Sequence, residues 1–297
     1  MRWGDMRPSD NVEDRRGQGG GGGFPLGGGG MRLGGGAIIV IVIVSLLFGI
    51  NPLSLLGTME GGGPAPQTGP RAPPATPAAP ASEKADPSLA FVQRTLGDTE
   101  DVWGALFKNM GSRYDAPRLV LFSQSFPSAC GMANAAAGPF YCPADRKVYL
   151  DTAFFRELSQ RFGAPGDFAA AYVIAHEVGH HVQNELGTMK QFDQSASRVD
   201  ARQRNALSVR LELQADCYAG VWSFYAAKRN LIDANDVEAG LRAAAAVGDD
   251  NIQRATQGRV VPDAFTHGSA AQRARWFKQG LSTGDPRSCN TFAARDI

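Results

Sequence analysis

The sequence predicts an α+β fold dominated by helix, on two observations. From about residue 87 onward most stretches repeat their apolar residues at helical spacing, and only two short runs read as strands. The 210 or so residues from there to the C-terminus suit one domain with a sizeable core.

The elements follow in chain order. Residues 1–36 are polar and then glycine-rich (GQGGGGGFPLGGGG), and read as a flexible tail; without GK[ST] the glycines have no claim to be a phosphate loop. AIIVIVIVSLLFGI at Ala37 to Ile50 is uncharged, and the uncharged stretch runs on to Gly57. Its twenty-one residues are enough to cross a hydrocarbon core of about 30 Å, so 37–57 reads as one transmembrane helix. Arg2, Arg7, Arg15, Arg16 and Arg32 precede it, and no Lys or Arg follows until Arg71. The positive-inside rule then keeps the N-terminus cytoplasmic and puts the C-terminal domain outside, as in a single-pass inner-membrane protein. Residues 58–86, rich in proline and alanine, form a semi-extended tether.

Within 87–297, Thr99 to Met110 reads as a helix, RLVLF (Arg118–Phe122) as an apolar strand and KVYLD (Lys147–Asp151) as an alternating, half-buried one. Helices follow at Thr152–Phe162, at DFAAAYVIAHEVGHHVQNELG, at VRLELQADCYAGVW, near Asp236–Val247 and at Gln272–Leu281. In the second of these, Ala171, Ile174, Ala175, Val178 and Val182 mark one buried stripe, with Asp167 as N-cap and Gly187 as C-cap.

That helix carries HEVGHH. Residues four apart share a helix face, so the rings of His176 and His180 can converge on one ion, and Glu177 stands about 100° round from His176, placed to take a proton from a water on that ion. HExxH is the signature of zinc-dependent proteases. His181 lies about 140° round from His176, too far to share the ion, and reads as a flanking group supporting the ligands. A catalytic zinc needs a third protein ligand and an open position for water. Glu212 is the better candidate and His267 the other. Asp216 follows Glu212 one turn later, and two acids so close call for a cation; Asp216 can accept the free ring N–H of a ligand histidine. Leu207, Leu211, Leu213, Tyr218, Val221 and Trp222 crowd these acids and argue for burial.

HEVGHHVQ followed about thirty residues later by ELQADCYAGVW resembles the bacterial neutral zinc metallopeptidase family, membrane-anchored proteins of gluzincin type. The resemblance extends over residues 87–297 through SACGMANAAAGPFYCPADRKVYLD and FTHGSAAQRARWFKQGL. It implies a gluzincin-like domain binding one Zn2+ through His176, His180 and Glu212, with Glu177 as catalytic base and Asp216 behind the ligands. It implies a peptide or protein substrate, and Ala135–Cys142 as the edge strand that pairs with it; taken alone, that stretch is equally a plain surface loop. HGSAAQR is similar to the HPxxxxR element of CAAX-processing gluzincins, with glycine in place of the proline. By that analogy His267 holds the oxyanion of the reaction and Arg273 orders it; taken alone, His267 is equally a structural N-cap or loop residue.

Cysteine use agrees with an extracytoplasmic domain. Cys130 and Cys142 enclose a short loop, and Cys217 with Cys289 would pin the C-terminal tail to the Glu212 helix; the alternative is four reduced cysteines. With 30 basic and 29 acidic residues the chain has no cationic field for nucleic acid. The rival to a hydrolase is a non-catalytic, zinc-stabilised extracytoplasmic binding module.

Overall fold

The computed structural model describes residues 1–17, 86–134, 138–160 and 166–297. Among them the fold is mainly helical with a small sheet. Strands β1 (Val12–Asp14), β2 (Arg118–Phe122), β5 (Phe140–Cys142) and β6 (Lys147–Asp151) form a sheet in the order β1-β2-β6-β5, and β3 (Ser125–Ser128) pairs with β4 (Gly131–Asn134) in a hairpin. β1, β2 and β6 run parallel, and β5 runs antiparallel to β6. The helices are α1 (Pro87–Asn109), α2 (Ala153–Gln160), α3 (Asp167–Glu185), α4 (Thr188–Ala196), α5 (Ala201–Lys228), α6 (Ala234–Ala246), α7 (Asp249–Gln257) and α8 (Ala270–Thr283).

The core lies between α3, α5 and α8, with α1 against α3, and Trp103, Trp222, Tyr172, Phe168 and Phe277 are its largest fully buried side chains. The α3 helix is central: every residue from Phe168 to Gln183 is buried, the polar His176, Glu177, His180, His181 and Gln183 included, so the helix is covered on all sides.

RLVLF and KVYLD form strands with the predicted bounds. The first helix begins twelve residues before the expected Thr99, since Asp86 caps it through the Ser88 and Leu89 amides and Pro87 fits the first turn. Gly166 rather than Asp167 is the N-cap of α3, and the Asp167 carboxylate instead accepts from the Trp3 indole at 2.9 Å.

Trp3 belongs to the N-terminal stretch expected as a flexible tail. Residues 1–16 instead lie on the domain. Val12, Glu13 and Asp14 pair with Leu119, Val120 and Leu121, and Met6 is 3% exposed. Scattered apolar contacts of Trp3, Met6 and Val12 and polar ones hold this arm, without an apolar period: Ser9 and Asn11 donate to the Glu100 carboxylate and Arg7 to Glu100 and Asp101. Such contacts leave no periodic signature. The expected transmembrane helix (37–57) and tether lie outside the described residues, apart from Asp86; among the described residues no helix is long and apolar enough to cross a membrane.

Candidate metal centre

Two helices meet at the site because a glycine lets them. A Cβ at Gly179 would stand 2.9 Å from the Ala215 carbonyl oxygen, so only glycine allows α3 and α5 this approach. The approach lays Glu212 and Asp216 of α5 against His176 and His180 of α3.

His176 Nε2 is 3.2 Å from Glu212 Oε2, and His180 Nε2 is 3.5 Å from Glu212 Oε1. One ligand atom from each of these residues lies within 4.8 Å of the other two. Tetrahedral zinc with bonds of about 2.0–2.1 Å needs ligand atoms roughly 3.3 Å apart, so this donor set fits the ion. Charge argues the same way. Arg273 grips Asp216 with Nε and Nη2 at 2.9 Å each, which leaves the Glu212 carboxylate facing only imidazoles. A half-buried carboxylate so placed calls for a positive charge, supplied by protons on the rings or by a cation.

The outer nitrogens of both rings are held. His176 Nδ1 is 2.9 Å from Asp216 Oδ1, and the Tyr172 hydroxyl donates to the same oxygen. His180 Nδ1 is 2.9 Å from the side-chain carbonyl of Gln183, whose amide donates to the Leu211 carbonyl and to Gln214. Each ring thereby directs Nε2 at Glu212. Burial alone would lower the basicity of His176, but the Asp216 charge and hydrogen bond, with Glu212, raise its pKa to about 10. Burial would raise the Glu212 carboxyl, yet the facing His180 and His176 rings hold it well below its ordinary value. Glu177, 7% exposed beside the ligands, is pushed up by burial, against the pull of the two histidines.

The remaining expected residues fall as follows. His181 points away from the cluster, hydrogen-bonded to the Tyr141 hydroxyl and the Asp115 carbonyl, and burial pulls its pKa down to about 4. Arg273 sits behind His176, bonded to Asp216, Tyr172 and the Val247 carbonyl. His267 is not one of the clustered ligands. Its Nδ1 lies 3.1 Å from Asp249 Oδ1, while Asp249 Oδ2 accepts from the backbone amides of Thr266, His267 and Gly268. Its ring is near enough to Glu212 for the two charges to act on each other. Ser269, not His267, caps α8, in a capping box with Gln272. Both disulfides are formed, Cys130–Cys142 and Cys217–Cys289.

Sequence reasoning missed three groups here. Tyr172 and Gln183 share the helix stripe of the motif, at four before His176 and three after His180, so periodicity could have found them. Asp249, eighteen residues from its partner, left no local signal.

The family model described as "Putative neutral zinc metallopeptidase" matches residues 1–292. The chain belongs to this family. It is 45% identical over 297 residues to the Escherichia coli K12 protein named "Uncharacterized protein YpfJ", covering 98% of this chain and 99% of that one. It is also 45% identical over 218 residues to "Uncharacterized protein Rv2575" of Mycobacterium tuberculosis H37Rv, covering 70% of this chain and 73% of that one. No solved structure matches the chain.

Proposed function

We propose that the protein is a zinc-dependent metallopeptidase, an endopeptidase that holds one Zn2+ by His176, His180 and Glu212. The observation that carries this reading is the convergence of those ligand atoms within 4.8 Å of one another, with Glu177 buried next to them. Membership of the zinc metallopeptidase family agrees with it.

Zinc when bound would supply Lewis acidity, acidifying a water and polarising a peptide carbonyl. Glu177 takes the proton of that water and later passes it to the leaving amine. Burial suits the residue to this role, because a carboxylate with a raised pKa is the better base. Asp216, backed by Arg273 and Tyr172, fixes the ring of His176, and Gln183 does the same for His180. His267, oriented by Asp249, donates to the developing oxyanion. The peptide lies extended along β5, the last strand in the order β1-β2-β6-β5, which packs on α3 and offers main-chain groups for pairing.

Glu177→Gln tests the assignment. The variant keeps one zinc per chain by elemental analysis, and its cleavage of a peptide library falls about 10²–10⁴-fold. Equal cleavage by E177Q and wild type would overturn the role of Glu177. A wild-type protein that holds zinc and cleaves nothing would instead be a binding module.

A further inference from the structure

The arm of residues 1–16 and the domain form one hydrogen-bonded body. Besides the β1–β2 pairing, the Leu119 amide donates to the Asn11 carbonyl at 2.9 Å and the Arg15 amide to the Leu121 carbonyl at 2.8 Å. The fit is close along the arm, since a Cβ on Gly97 of α1 would overlap the Arg7 carbonyl. The two ends of the intervening chain also meet. Arg16 forms ion pairs with both Asp14 and Asp86, so the chain departs at Arg16 and returns beside it at the cap of α1.

A chain that departs and returns on one face of one body crosses a bilayer an even number of times. The apolar stretch from Ala37 to Gly57 has twenty-one residues, which suffices for one crossing of about 30 Å and not for two. We propose that residues 1–16 and residues 86–297 lie on the same side of the membrane. The arginines that argued for a cytoplasmic N-terminus have another use in the fold: Arg7 pairs with Glu100 and Asp101, and Arg15 with Glu13. This inference is independent of the metal chemistry.

Glu13 provides the probe, because its carboxylate lies 3.0 Å from the Lys147 ammonium. In cells that express the full-length chain, a carbodiimide should join the two as an amide within a species that migrates as a monomer. Peptide mass spectrometry should find the link, and Lys147→Arg, which keeps the charge but not the amine, should abolish it. Epitope tags at the two termini should be reached alike by an impermeant label, both before permeabilisation or both only after it. A tag reached before permeabilisation with the other reached only after it would overturn the proposal. So would a Glu13–Lys147 link found only between two chains.

Discussion

The two histidine ligands proposed for zinc are held by unlike partners. His176 leans on a carboxylate that is itself locked by Arg273, whereas His180 leans on the neutral amide of Gln183. Removing a ligand's outer hydrogen bond typically weakens metal binding about 10–100-fold, so Gln183→Leu should raise the zinc dissociation constant by that factor in a chelator competition, with the helical circular-dichroism spectrum unchanged. An unaltered dissociation constant would reduce Gln183 to a packing residue. At this scale the spacing His176–His180 was legible because the helix period alone brings the rings together. The partner proposed for Asp216, a ligand imidazole, was legible for the same reason one turn along α5. The partners of Arg273 were not legible: it lies on α8, and which face of α8 meets α5 is set by packing that no local spacing encodes.

Among the elements, α5 carries most of the site, and its position is fixed from both sides. Gly179 admits it to α3, and Cys217, next to Asp216, ties it to Cys289 near the C-terminus. That bridge closes 72 residues, a loop for which chain-entropy reasoning gives about 4 kcal/mol. The double variant Cys217→Ala/Cys289→Ala should lose roughly that much in urea unfolding under non-reducing conditions, and a loss below about 1 kcal/mol would mean that packing alone fixes the C-terminal segment. Elements with a strong period were read well. Arg118–Phe122 and Lys147–Asp151 are short apolar or alternating runs, and α3 has a long buried stripe; α5 was read only over its middle, VRLELQADCYAGVW, while the helix runs from Ala201 to Lys228. The β3–β4 hairpin was not, because its strands carry few apolar residues and its turn at Ala129 and Cys130 relies on Gly131 just after it, with φ of 123°, and on a disulfide to β5. The start of α1 was hidden by Pro87, which continues the proline run of the tether yet is also a favoured first-turn residue.

At the scale of the whole molecule, the arm decides how the chain is organised. Its composition suggested a tail: charged and polar residues ahead of a glycine run, with no apolar stripe to predict burial. What binds it lies about ninety residues away, in the acidic turn Glu100–Asp101 of α1 and the otherwise unpaired side of β2. Such a docking depends on the finished fold, so a reading confined to local windows had to miss it. The arm nevertheless makes a sharp thermodynamic claim through Met6. A methionine at position six of a tail would be solvated, and its truncation would be neutral. Here the side chain is 3% exposed and belongs to the main core. Met→Ala at a buried site costs about 2–5 kcal/mol, so Met6→Ala in the full-length chain should lower Tm by roughly 4–20 °C, given about 2–4 °C per kcal/mol for a domain of this size. Asp5→Ala, at the exposed position next to Met6 with an i,i+3 ion pair to Arg2, should shift Tm by less than about 1–2 °C, since such pairs contribute little. Equal and negligible shifts for both variants would return residues 1–16 to the solvent, and the shared side of the membrane would lose its structural basis.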